Sequence, residues 1–147
     1  MSIESNSVER TPVRPCILVV DDDATHRKMM QLIADHLGIL PFLTSSCAEA
    51  IDSLSQPTSR LTPDLILMDW RMPSIDGCAC AKRIRALTSA NGGCVPIIAV
   101  TALVMPGDKE ACLEAGMDDY LAKPFTIDEL RNVIDKWLHR KSQTGTA

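Results

Sequence analysis

Five side chains have the types and positions to do chemistry together. Asp21 and Asp22 follow the apolar run Cys16 to Val20, Asp69 follows Leu65 to Met68, Thr101 follows Ile97 to Val100, and Lys123 follows Tyr120 to Ala122. If these runs are parallel strands, the five residues gather at the carboxyl edge of one sheet, where open α/β sheets bind ligands. Carboxylates crowded at adjacent strand ends repel one another unless a cation lies among them, and hard oxygen donors with room for water suit Mg²⁺, with Mn²⁺ as a substitute. An ammonium and a hydroxyl beside them complete a pocket for a phosphoryl group: cation and Lys neutralise its oxygens, and Thr donates a hydrogen bond. One carboxylate can then serve as nucleophile. Taken singly, each feature is ordinary, since Asp caps helices and Thr favours strands. Asp23 or Thr25 reads as such a cap. The joint placement of several acids and one base at a single edge carries the functional reading.

The elements that must position these residues alternate along the chain. Uninterrupted apolar runs near Cys16–Val20, Ile39–Leu43, Leu65–Met68, Ile97–Val100 and Tyr120–Ala122 suit parallel strands covered on both faces, with the first and third the most buried. Amphipathic segments near Thr25–Leu37, Ala48–Leu54, Gly77–Leu87, Gly107–Ala115 and Ile127–His139 suit the crossover helices, with Gly38 and Gly116 as C-terminal caps. Residues 1–14 and 141–147 are polar and read as flexible ends around a domain at 15–140.

Composition narrows the function classes. A chain of 147 residues with 46% apolar content supports one core. The net charge is −4, and the one basic run is His139-Arg140-Lys141. Nucleic-acid binding through phosphate neutralisation therefore has little to start from. No apolar run approaches the roughly 18 residues of a membrane span, and the first segment does not form a secretory signal, so a cytoplasmic location is expected. The six cysteines sit mostly among apolar neighbours with no Cys-x-x-Cys spacing and read as reduced packing residues. His26, His36 and His139 read as surface or packing residues.

Four motifs together resemble the receiver domains of two-component response regulators: Ile17 to Asp23, Leu67 to Gly77, Ala99-Val100-Thr101-Ala102, and Tyr120-Leu121-Ala122-Lys123-Pro124-Phe125. Asp22, Asp69, Thr101 and Lys123 lie 47, 32 and 22 residues apart in the order of that family. Met105 to Asp108 and Ala115 to Tyr120 look like receivers that work with hybrid histidine kinases. The resemblance implies a flavodoxin-like (βα)5 fold of strand order 2-1-3-4-5. It implies that Asp69 is the phosphoacceptor, that Asp22 binds Mg²⁺ directly with Asp21 helping through water, and that Asp69 and the backbone carbonyl of Arg71 complete the metal ligands. It implies that Lys123 pairs with the carboxylate and then the phosphoryl group, that Thr101 and Tyr120 form the switch, and that Pro124 follows a cis peptide. Asp76 and Gly77 fit the turn opening the third helix.

On this reading the chain is a stand-alone regulator, a signalling phosphoacceptor that catalyses only its own phosphorylation and slow dephosphorylation. Its phosphoryl donor is a histidine kinase or histidine phosphotransfer protein. Its output is protein contact, or phosphorylation-dependent dimerisation, through the face of the fourth helix, fifth strand and fifth helix. The first helix carries more apolar residues than one core stripe needs, so either all are core or some dock a histidine-bearing bundle. Rival readings are an excised receiver of a hybrid kinase, a haloacid-dehalogenase-like phosphatase, suggested by Asp21-x-Asp23-x-Thr25, and a flavodoxin-like electron carrier. The phosphatase needs its Lys before a final acidic pair, whereas Asp118-Asp119 precede Lys123, and the electron carrier needs Ser, Thr or Gly in place of the first acids. Arg71 and Leu103 flank the expected phosphoryl position and can shield it from water. Replacing Arg71→Ala should shorten the acyl-phosphate half-life; an unchanged lifetime would count against shielding.

Overall fold

Residues 14–55, 63–70, 77–87, 93–101 and 107–146 are described by a computed structural model. Five strands alternate with five helices: β1 Cys16–Val20, α1 Ala24–Leu37, β2 Leu40–Thr44, α2 Cys47–Ser55, β3 Leu65–Asp69, α3 Gly77–Arg85, β4 Ile97–Thr101, α4 Asp108–Glu114, β5 Asp119–Ala122 and α5 Ile127–Thr146. All strand pairs are parallel, in the order β2-β1-β3-β4-β5. This is the expected doubly wound sheet, and its order reverses between β1 and β3, which opens a crevice at their carboxyl ends.

The apolar runs form strands because both faces are covered, and every residue of β3 is buried. Alternate side chains feed two layers. Leu18, Val20, Ile66, Met68, Ile97 and Ala99 pack against α2, α3 and α4, while Ile17, Val19, Leu65, Leu67 and Ile98 pack against α1 and α5. Met29 and Leu32 on α1 lie outside both layers at 44% and 62% exposure, so the all-core reading of this helix fails for them.

Local signals set the helix starts. Asp23 caps α1, its carboxylate accepting from the Thr25 and His26 amides at 2.8 and 3.3 Å, and these bonds hold its carboxyl below the usual range. Thr126 and Glu129 cap α5 reciprocally: the Thr126 hydroxyl accepts from the Glu129 amide at 3.0 Å, and the Glu129 carboxylate accepts from the Thr126 amide at 2.8 Å. Gly38, at φ 75°, turns the chain from α1 into β2 in the left-handed region that favours glycine. Gly77 has a different reason: a Cβ there would lie 2.6 Å from the Asp69 carbonyl oxygen, so only glycine lets α3 start against the end of β3. The Lys123–Pro124 peptide is cis, as expected.

One expectation needs correction, and the two ends of the described chain have contacts and bounds of their own. Helix α5 continues to Thr146. No proline interrupts the sequence there, and each added residue adds a helical hydrogen bond. At the other end residues 1–13 lie outside the described residues, but Arg14 is tied down, donating to the carbonyls of Gly38 at 3.3 Å and Ile39 at 3.0 Å. The cysteines are not all thiols: Cys47 on α2 and Cys80 on α3, both fully buried, are joined as a disulfide with Cα atoms 5.7 Å apart. Packing of α2 on α3 sets their sulfurs face to face, a proximity that a sequence separation of 33 hides. Cys112 stays a buried thiol, its pKa pushed up to about 11 by burial.

At the opposite edge of the sheet from the strand-end acids, Arg85 holds several segments together. Its guanidinium donates to the carbonyls of Gly116 at 2.7 Å, Gly93 at 3.0 Å and Val95 at 2.5 Å, and to the Asp118 carboxylate at 2.6 Å. The same carboxylate accepts from the Ile97 amide at 2.9 Å, fixing where β4 begins. A lysine ammonium cannot reproduce this planar fork. Arg85→Lys is therefore expected to lower unfolding free energy by about 2 kcal/mol in a denaturant titration; unchanged stability would show that the fork is dispensable.

Candidate functional site

The chain register builds the site at the carboxyl edge. Val20 pairs with Met68 across β1 and β3, so the residues that follow, Asp21 and Asp69, are neighbours. Asp69 in turn pairs with Val100, and Thr101 pairs with Ala122, the residue before Lys123. Backbone bonds tie the strand exits together: the Asp21 amide donates to the Thr44 carbonyl at 3.1 Å, the Trp70 amide to Val100 at 3.0 Å, and the Lys123 amide to Thr101 at 2.7 Å.

Carboxylate oxygens of Asp21, Asp22 and Asp69 all lie within 4.8 Å of one another. Asp21 and Asp69 are about 6% and 9% exposed, whereas Asp22 faces solvent. Two of the three negative charges therefore sit where water screens them poorly. Lys123 places its ammonium 3.8 Å from Asp69 Oδ1. One ammonium against three carboxylates leaves net negative charge, and an all-oxygen donor set open on one side matches the preference of a hard divalent cation. Thr101, at 5% exposure, ends β4 beside this cluster.

Asp21 is itself held in place. Its Oδ1 accepts from the Asp23 amide at 2.9 Å, and its carbonyl accepts from Arg27 at 2.8 Å. Tyr120 lies on β5 opposite Ala99, partly buried against the layer under α4. Arg71 and Leu103, and with them the expected carbonyl ligand and the shielding positions, lie outside the described residues.

Sequence reasoning missed His26. Its Nδ1 lies 3.5 Å from Asp21 Oδ2, 3.9 Å from Asp23 Oδ2 and 3.4 Å from the Lys123 ammonium, which makes it part of the site and not an ordinary surface or packing residue. The available signal was its place in the first turn of the helix that Asp23 caps, because that turn begins at the sheet edge holding the acids. The role of Gly77, keeping α3 close to Asp69, was equally hidden, since only the packed backbone shows what a side chain there would strike.

Comparison with known proteins agrees with this geometry. The family model of the response regulator receiver domain matches residues 17–135. The sensor histidine kinase RcsC of Salmonella typhi is 37% identical over 128 residues, covering 87% of this chain and 13% of that protein. The sensor protein GacS of Pseudomonas syringae pv. syringae is 34% identical over 124 residues, 84% of this chain and 13% of that one. The chain thus spans about an eighth of the length of these relatives. Among solved structures, the receiver domain of sensor histidine kinase PA1611 from Pseudomonas aeruginosa, which has a magnesium ion coordinated in its active site cleft, superposes with a TM-score of 0.75 at 38% identity, covering 86% of this chain and 99% of that one. A family match over most of the chain, together with the sheet order and the strand-end acids, shows that this protein belongs to the receiver domains of two-component response regulators.

Proposed function

We propose that this receiver accepts a phosphoryl group on Asp69 from a phosphohistidine of a histidine kinase or histidine phosphotransfer protein, in a Mg²⁺-dependent reaction, and signals through protein contact. The single observation that carries the reading is the placing of Asp69 within both the carboxylate cluster and reach of the Lys123 ammonium. Asp21, Asp22 and Asp69 would hold the metal, with the Arg71 carbonyl as the further ligand. Mg²⁺, or Mn²⁺ in its place, supplies charge neutralisation for the incoming phosphoryl oxygens. The magnesium ion in the PA1611 receiver supports this assignment.

The side chains divide the remaining work. An Asp69 carboxylate oxygen attacks phosphorus, the phosphorus–nitrogen bond of the donor breaks, and the imidazole leaves with the bonding pair. Lys123, paired with Asp69 beforehand, follows the negative charge onto the phosphoryl oxygens. The Thr101 hydroxyl then donates to one of them, and the space it vacates lets Tyr120 move inward. Nothing in this sequence of steps turns over a second substrate, so the protein acts as a phosphoacceptor with slow self-dephosphorylation.

Exposed Met29 and Leu32 on α1, beside the site, suit the docking of the donor helix. The face of α4, β5 and α5 suits output to a downstream protein or a second copy. Asp119 at the start of β5 accepts from Trp137 at 3.0 Å and Lys136 at 3.2 Å on α5, so the Tyr120 strand and that helix are coupled. Burial raises the Asp119 pKa, but the bonds from Trp137, Tyr120 and Lys136 outweigh it and hold the carboxyl below its usual value.

Incubation with Mg²⁺ and acetyl phosphate, followed by intact mass measurement, tests the proposal. The wild type is expected to gain one phosphoryl mass and Asp69→Asn none. Label retained in Asp69→Asn would move the acceptor elsewhere, and steady release of inorganic phosphate from a stable phosphate ester would favour the phosphatase reading.

A further inference from the structure

A cavity of about 310 Å³ runs from the acidic site under α1. Its walls are Met30 and Ile33 from α1, Leu67 and Val100 from the sheet, and Phe125 from the segment after the cis peptide, while Asp21, His26, Asp69 and Lys123 stand at one end. Well-packed interiors have few voids larger than a water molecule, and this space reaches the size of small-ligand pockets. Charge recognition alone, for a phosphoryl group between cation and ammonium, requires no apolar chamber behind it. The layout is that of a site for an amphiphilic anion, with one charged end and a long apolar remainder.

Resting on the phosphoacceptor reading above, we propose that the cavity receives the apolar tail of small acyl phosphates, so that Asp69 discriminates among small-molecule phosphodonors by tail length. Lys123 and Asp69 lie at the charged end, which orients the phosphoryl group towards the acceptor and the acyl chain towards Met30, Ile33 and Phe125. The unbranched side chain of Met30, with its flexible thioether, adapts to tails of different shape. In the transfer, an Asp69 oxygen forms a bond to phosphorus as the bond from phosphorus to the acyl oxygen breaks. The carboxylate departs with the bonding pair, so no oxidant, reductant or further reactant is needed.

Lengthening an acyl phosphate by methylenes leaves its carboxylate leaving group nearly unchanged, so rate differences report burial of the tail. Each methylene transferred from water to the cavity is expected to raise the second-order phosphorylation rate about fourfold, and butyryl phosphate should exceed acetyl phosphate about fifteenfold. The ratio is measured by intact mass against time in Mg²⁺ with the full chain. Ile33→Trp, which fills the cavity, should bring the ratio towards one. As a measurement independent of that variant's folding, butylphosphonate added to ¹³C-methyl-methionine wild type should shift the Met30 methyl resonance. Equal rates for the two donors, or an unmoved Met30 methyl, would overturn the cavity assignment while leaving Asp69 as acceptor. Slower reaction of butyryl phosphate would do the same. Labelling by neither donor would overturn both readings.

Discussion

Mutual repulsion among three carboxylates at one sheet edge is the constraint on which the site depends. Asp21, Asp22 and Asp69 bring oxygens within 4.8 Å of one another, and for the two buried members this amounts to on the order of 3 kcal/mol at an effective dielectric constant of about 20. Lys123 offsets part of it from 3.8 Å. The rest is left for a divalent cation, which converts an unfavourable arrangement into a binding site. On the proposed phosphoacceptor reading, the same imbalance favours phosphorylation, because the charge arriving with a phosphoryl group would meet a bound cation and the Lys123 ammonium.

The fold holds the acids together against that repulsion by spreading the task over several elements. Register between β1 and β3 sets Asp21 beside Asp69, Gly77 lets α3 close against the end of β3, and the bond from the Asp23 amide fixes the orientation of Asp21. At the far edge, the Arg85 fork fixes where β4 and β5 begin. Two apolar layers then cover both faces of the sheet whose carboxyl edge carries the site.

Much of this was legible in the sequence, and the reason is physical. A strand buried on both faces must be continuously apolar, so Leu65 to Met68 announced β3 and the next residue was necessarily at the sheet edge. That logic recovered the alternating strands and helices and the grouping of Asp21, Asp22, Asp69, Thr101 and Lys123, while the strand order followed from the resemblance to receiver domains. What escaped depends on contacts between distant segments. His26 joins the site only because α1 leans towards Lys123, the Cys47–Cys80 disulfide exists only because α2 packs on α3, and a cavity is a property of imperfect packing that no periodicity encodes.

The most direct measurement is the thermal midpoint of wild type and Asp22→Asn as Mg²⁺ is titrated at fixed ionic strength. If crowded carboxylates define the site, the wild type gains stability saturably, by about 2.7 kcal/mol at one hundred times the dissociation constant. Asp22→Asn, relieved of one charge, should then be the more stable protein without metal and respond weakly to it. A wild-type midpoint indifferent to Mg²⁺, with no metal-free gain from Asp22→Asn, would contradict the account.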